Sequence, residues 1–342
     1  MKVLKYVLIF ILIVLIAGAI FVAVQPGTYD ISRSRTINAP QKVVNNYITD
    51  YTRWPDWSPW LQQEPDAVIT YGDKTSGVDA SYSWKGEKLG EGSMETVYIS
   101  KDSISQRIKF ISPYESSAMV YWTTEAQENS TKVTWGMQGE MGFMEKAYAM
   151  LGGGMDNMLG PDYERGLEKL DSVIVSGMKI YSLTDNGTVS HGGGYYLYVT
   201  TSARQSEVGD KMGPMFAEIQ AFTEKNNIDM AGMPFTLYHQ WDEEAGTAMF
   251  STCIPVKEKI ITLEGSNVLC GYIEPHTYYK TTLKGDYANL QEAWEKSVAH
   301  LKAAGYEENQ EVPPFEVYVN DPMEHPNPAD WTTEIYIPVV SR

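Results

Sequence analysis

Val7 to Val24 run for 18 residues without a charged side chain, and this run constrains the chain more tightly than any other feature. As an α-helix rising about 1.5 Å per residue it spans about 27 Å, close to the roughly 30 Å hydrocarbon core of a bilayer. Lys2 and Lys5 precede the run, which favours an inside N-terminus and an outer, periplasmic or extracytoplasmic, location for everything after Gln25. Arg33 and Arg35 soften that bias. The alternative is a cleaved signal peptide, for which Ala17-Gly18-Ala19 offers small residues. The apolar run continues through Ile20, Phe21 and Val22 past that site, so a membrane anchor over residues 1–25 is the expectation, with the membrane contacted through residues 7–24. Both readings export the remainder.

That remainder exceeds one ordinary domain, and 43% hydrophobic with 21% charged residues is the balance of a globular chain. The net charge of −17 falls on both soluble parts: residues 26–175 carry 14 basic and 21 acidic side chains, residues 176–342 carry 11 and 23. Such a surface repels phosphate backbones, so nucleic acid is not an expected partner. Cys253 and Cys270 have no C-x-x-C or Cys/His spacing and lie in apolar runs, which favours two buried thiols over one bridge.

Residues 28–175 read as one α+β domain. Tyr29 to Ile37 alternates as a strand does, and Pro40 opens a helix with Val43, Val44, Tyr47 and Ile48 on one face. Trp54, Trp57 and Trp60, interrupted by Pro55 and Pro59, form an aromatic loop or a broken helix. Strand-like runs follow at residues 80–84, 92–100, 103–111, 117–124 and 131–138, separated by turn residues, and imply consecutive antiparallel strands. Met155, Met158, Leu159, Tyr163, Leu167, Leu170, Val173 and Ile174 then form a helical apolar stripe. This order, with Ile37-Asn38-Ala39-Pro40, the Trp54 to Trp60 segment, Trp84-Lys85-Gly86, Gly90-Glu91-Gly92 and Gly160-Pro161-Asp162-Tyr163, resembles the helix-grip fold of the START and polyketide-cyclase-like (SRPBCC) superfamily. The resemblance implies a cavity between sheet and long helix for sterols, lipids, polyketides or other apolar compounds. Trp84, Trp122 and Trp135 either belong to such a cavity or fill a core.

Residues 176–342 contain a repeat. Pro234-Phe235-Thr236-Leu237-Tyr238 recurs as Pro314-Phe315-Glu316-Val317-Tyr318, and Cys253-Ile254-Pro255-Val256 as Tyr336-Ile337-Pro338-Val339. Each copy reads ββαββ. The first helix presents Val208, Met212, Met215, Phe216, Ile219 and Phe222, the second Tyr287, Leu290, Trp294, Val298 and Leu301. The layout, with His276-Thr277-Tyr278, Gly285-Asp286-Tyr287, Trp294, Gly305, Asp321-Pro322 and Thr333 to Val339, resembles the GyrI-like small-molecule-binding domain, which also supplies the effector-binding halves of AraC-type regulators.

Strand alternation sets Ile335, Ile337 and Val339 against Glu334 and Tyr336, and Phe315, Val317 and Val319 against Glu316 and Tyr318. The expectation is that both carboxylates share one non-core face with aromatic rings. Ser251 stands where Glu334 would in the first copy, and Thr236 where Glu316 would, as suits a groove between copies. The family resemblance implies an aromatic-lined pocket around Glu334 that attracts apolar cations, since a sheltered carboxylate needs a counter-charge and rings such as Tyr238, Tyr318 and Tyr336 favour a cation over their faces. The expected ligand-binding residues are Glu334, Tyr336, Glu316, Tyr318, Tyr238 and Trp294. The resemblance also implies an alternative, a hydrolase of small electrophiles in which Glu334 works with Tyr318 or Tyr336. A third reading is a module that docks peptides.

The sequence has no H-E-x-x-H, no G-x-S-x-G, no Walker lysine and no dinucleotide fingerprint. Gly152-Gly153-Gly154 and Gly192-Gly193-Gly194 lack the Lys-Ser/Thr of a phosphate loop and read as turns. The five histidines share no ligand spacing, so neither metal nor cofactor is expected. Binding of small apolar or cationic aromatic molecules, for sensing, sequestration or protection, is the leading expectation.

Overall fold

The computed structural model describes residues 2–340; the termini of the expected anchor and C-terminal domain, residues 1, 341 and 342, lie outside them. The chain is α+β and divides into two compact units, Met1–Gly177 and Met178–Arg342.

In the first unit α1 (Lys2–Ala23) is followed by β1 (Thr28–Ile37), α2 (Gln41–Thr49) and the four-residue α3 (Trp54–Trp57). Five further antiparallel strands and one short one come next: β2 (Val68–Tyr71), β3 (Ser81–Gly86), β4 (Gly90–Ile99), β5 (Ser103–Ser112), β6 (Ser116–Ala126) and β7 (Thr131–Glu140). Two helices, α4 (Phe143–Leu151) and α5 (Met155–Met178), close the unit. The strands form one sheet in the order β1-β7-β6-β5-β4-β3-β2, so each meander neighbour pairs in sequence and β1 returns to cover the free edge of β7. The tryptophan segment is a broken helix: Pro55 sits in the first turn of α3, where its missing N–H costs nothing.

Side chains inside this sheet alternate as a half-buried strand requires, with Ala118, Val120, Trp122 and Thr124 of β6 turned inward. Trp122 and Trp135 pair directly across β6 and β7 and stack at 4.5 Å with planes 10° apart. Trp122 is fully buried and donates its indole N–H to Gln106 Oε1 at 2.9 Å. Trp122→Ala is therefore expected to cost the first unit about 3–5 kcal/mol, read as a lower denaturation midpoint with the second unit's transition unmoved. The C-terminal half of α5 closes on this core through Leu167, Leu170 and Ile174. Arg33 and Arg35 of β1 hold its outer side through Glu164 and Asp171. Gly166 lets α5 come this close, because a Cβ there would meet the Trp135 ring and Pro59.

The second unit contains β8 (Ser182–His191), β9 (Gly194–Arg204), α6 (Val208–Asn226), β10 (Phe235–Asp242) and β11 (Thr247–Val256), then β12 (Leu269–Ile273), β13 (His276–Lys284), α7 (Leu290–Ala303), the two-residue β14 (Glu307–Glu308), β15 (Phe315–Tyr318) and β16 (Thr332–Val340). The sheet order is β12-β9-β11-β10-β15-β16-β13-β8, with β14 added against β16. The order is symmetric about the β10–β15 pair, and the first strand of each ββαββ copy crosses to the outer edge of the other copy. Thr236 and Glu316 are directly paired at that pseudo-twofold centre. The register repeats too: Leu237 faces Ser251 in the first copy, and Val317 faces Glu334 in the second.

Both helices cover one face. Leu197, Phe250 and Ile254 pack with Met215 and Ile219 of α6, and Ile335, Ile337 and Val339 pack with Ala293 and Leu301 of α7. The other face carries an aromatic layer of Phe235, Tyr278 and Phe315 with Tyr336 beside it. Cys253, buried in that layer, and the half-buried Cys270 are free thiols.

Candidate functional site

In the first unit a cavity of about 1070 Å³ is lined by the sheet, the tryptophan segment, α4 and the N-terminal half of α5. Its walls are apolar: Trp84, Met94 and Phe110 from the sheet, Trp60 from the tryptophan segment, and Met155 and Met158 from α5. Gly92 shapes the floor, since a Cβ there would collide with the Trp84 indole that lies across it. Trp135 and Tyr163 close the deep end with ring centroids 4.3 Å apart. Burial holds the Tyr82 and Tyr163 hydroxyls neutral far above ordinary pH. Glu115 and Glu145 are the charged side chains of the lining, and Glu145 is engaged at the start of α4, where it accepts from Gly142 N at 2.6 Å. A container of this size and chemistry fits an uncharged apolar molecule.

Of the three tryptophans in question, Trp84 and Trp135 line this cavity and Trp122 seals the core behind it. Beyond Trp84 and Trp135, for which cavity and core were both open, none of the lining was expected to meet a ligand. The signal was present in Trp60, Met155 and Met158, but a stripe of such residues reads as core whenever the volume beside it is unknown.

In the second unit the register between β15 and β16 corrects the expectation that the two carboxylates share a face. Glu316 pairs with Ile335 and Phe315 with Tyr336, and paired residues point to the same side. Glu316 and Tyr318 therefore lie on the helix-covered face, while Glu334 and Tyr336 lie on the opposite one. A one-residue change of register moves every side chain of a strand to the other face, and alternation within a single strand is blind to it.

Glu334 is paired rather than sheltered alone. Lys280 Nζ lies 2.7 Å from its carboxylate and 5.5 Å from the centre of the Tyr336 ring, and the Tyr336 hydroxyl donates to Glu334 Oε2 at 2.7 Å. The pairing of Glu334 with Tyr318 required by one form of the hydrolase alternative is excluded by the opposed faces; the pairing with Tyr336 is formed.

Glu316 is the sheltered carboxylate, 2% exposed at the seam of the two copies. Trp294 of α7 donates its indole N–H to Oε1, and the Tyr318 hydroxyl donates to Oε2 at 3.0 Å. Tyr318 also lies 3.1 Å from Thr236 Oγ1, the pseudo-twofold partner position. Phe216 of α6 and Tyr287 stand edge-on to the Tyr318 ring, and Trp294 edge-on to Tyr238. Among the described residues no cation pairs with Glu316. Burial pushes its carboxyl above the usual range, and the hydrogen bonds donated to it only partly oppose that. Burial also drives the Tyr238 and Tyr318 hydroxyls well up, with the Glu316 charge adding to it. Four of the six expected residues, Glu316, Tyr318, Tyr238 and Trp294, thus converge, and Glu334 and Tyr336 form a separate pair. Tyr287 joins the cluster; its place in Gly285-Asp286-Tyr287 was the available signal.

Residues 28–175 match the model of the family described as polyketide cyclase / dehydrase and lipid transport, and residues 194–340 match that of the GyrI-like small molecule binding domain. The second match begins at β9, after the edge strand β8. No curated protein matches the chain. Similar solved structures include the EcmrR C-terminal domain, at 18% identity over 48% of this chain and 99% of that one with a TM-score of 0.41. Others are protein MLL2253 from Mesorhizobium loti (13% identity, 44% and 100% coverage, TM-score 0.33) and SAV2435 bound to tetraphenylphosphonium (12% identity, 47% and 94% coverage, TM-score 0.34). The chain thus carries an SRPBCC domain of the polyketide cyclase / dehydrase and lipid transport family followed by a GyrI-like small-molecule-binding domain.

Proposed function

We propose that this protein is a membrane-anchored binder of small molecules with two containers of different chemistry: residues 28–175 take a neutral apolar compound, and residues 176–342 take a lipophilic cation. The observation that carries the reading is the 1070 Å³ cavity, whose lining offers aromatic rings and methionines and almost no charge. Empty apolar volume on this scale is far above the few water-sized voids of an ordinary core, so filling it by a ligand removes a large unfavourable surface.

The second container is the Glu316 cluster. A buried carboxylate with no cationic partner among the described residues is held either protonated or by an incoming positive charge, and the rings of Tyr238, Tyr318, Tyr287 and Trp294 gathered around it are surroundings that favour a cation. Glu316, rather than Glu334, is the carboxylate we assign to it, because Glu334 already has Lys280.

The anchor is α1, whose segment Val3–Ala23 is long and apolar enough to cross a membrane, although a signal sequence has the same character. Lys2 and Lys5 ahead of the apolar run support an outer location for both containers. The test is titration with dansyl-labelled cholesterol, read by energy transfer from the cavity tryptophans. Saturable transfer at one probe per chain is expected; transfer that never saturates would remove the first container.

A further inference from the structure

The open side of the first unit's cavity is built by α4, and α4 is fastened to the end of α1. Residues 143, 144, 147, 148 and 151 line the cavity at the spacing of one helical face. Their side chains are nevertheless turned outward as well as inward: Met144 and Tyr148 are each 67% exposed and Leu151 is 89% exposed. Across the mouth, Tyr114 is 70% exposed and also belongs to the lining. A soluble protein rarely leaves so many large apolar groups together in water.

What covers them is indicated by the neighbouring contacts. Lys146, on the side of α4 away from the cavity, directs Nζ to the carbonyl of Gln25 at 2.8 Å and to that of Ala23 at 3.4 Å. Ala23 is the last residue of α1, so Lys146 satisfies carbonyls that the helix end leaves open. Met141 N donates to the Gly27 carbonyl at 2.7 Å and fixes the segment leading into α4 beside the same exit point. If α1 crosses the bilayer, its C-terminal end lies at the lipid–water boundary, and these contacts hold α4 there. Lys146 has the character of an interfacial lysine, with an apolar stem and a head group at the polar layer.

We propose that α4 and the Tyr114 turn form a bilayer-contacting face, clamped to the anchor through Lys146, and that the cavity exchanges its apolar ligand directly with the membrane rather than with water. The proposal rests on reading α1 as an anchor. Loading from lipid avoids the cost of bringing an apolar molecule through water, and the clamp raises the effective concentration of cavity mouth at the membrane surface.

The test uses the full chain in dioleoylphosphatidylcholine vesicles doped with a phosphatidylcholine that carries a photoreactive diazirine in its acyl chain. Peptide mapping is expected to show adducts on α1 and on Met144, Tyr148 or Leu151. Adducts confined to α1 would overturn the bilayer-contacting face while leaving the anchor intact, and absence of adducts from α1 would overturn anchor and face together. In parallel, Lys146→Gln is expected to slow loading of dansyl-labelled cholesterol from vesicles by about tenfold or more, with loading from a cyclodextrin carrier in water within about twofold of wild type. Equal loading of variant and wild type from vesicles would overturn the clamp. Failure of wild type to load from either source, with α4 adducts present, would remove the cavity reading and leave the bilayer-contacting face standing.

Discussion

In the Glu316→Gln variant an aromatic cation such as tetraphenylphosphonium binds roughly 100-fold more weakly than to wild type, whereas Glu334→Gln changes its affinity by less than about twofold. The contrast follows from what each carboxylate already has. Glu334 is neutralised by Lys280 at 2.7 Å on the face away from the helices, so its charge is not free to attract a ligand. Glu316 is buried with hydrogen bonds from Trp294 and Tyr318 and with no cation among the described residues, so the glutamine removes an unneutralised charge from a low-dielectric site. Fluorescence or calorimetric titration checks both variants. The same carboxyl makes binding depend on pH. Because burial raises its folded-state value, Glu316 keeps its proton above the usual carboxylate range, and a cation binds fully only after that proton leaves. Affinity is therefore expected to rise with pH across the window between the ordinary glutamate value and the raised one. Stability of the ligand-free second unit moves the other way. A raised folded value favours folding below the unfolded value and loses that contribution as pH rises through the folded one, so wild type weakens with rising pH relative to Glu316→Gln.

Met137→Trp abolishes uptake of dansyl-labelled cholesterol by the first unit with little loss of stability. Met137 is 5% exposed and turned into the cavity from β7, two residues beyond Trp135. In a filled core a larger side chain would force its neighbours apart at about 1–3 kcal/mol. Here it grows into empty volume, so the expected result is loss of saturable energy transfer with a denaturation midpoint close to wild type. The variant leaves the Glu316 site untouched, and tetraphenylphosphonium should bind it as it binds wild type.

Much of the architecture was legible because it is written in local periods. The strand runs of the first unit, the helical stripe at residues 155–174 and the two ββαββ copies all follow from alternation, helical spacing and direct repetition. The equivalence of Ser251 with Glu334 and of Thr236 with Glu316 reappears in the strand register itself. The placement of the site was not legible, for three physical reasons. The faces of Glu316 and Glu334 depend on pairing across the loop from residue 319 to 331, and that loop holds no alternation to read. A cavity is a volume that side chains fail to fill, and the alternating pattern of β4, β6 and β7 is the same whether the space beyond is filled or empty. Helix α4 is nine residues between Gly142 and Gly152, too short for a period to identify, yet it forms the open wall of the cavity.

The central claim is that one chain holds two separate containers, one for a neutral apolar molecule and one for a cation. It is tested most directly by titrating the full chain with dansyl-labelled cholesterol and then with tetraphenylphosphonium, in wild type, Met137→Trp and Glu316→Gln. Two independent saturations are predicted, the first lost only in Met137→Trp and the second only in Glu316→Gln. Competition of the two probes for one site, or phosphonium binding undiminished in Glu316→Gln, would contradict it.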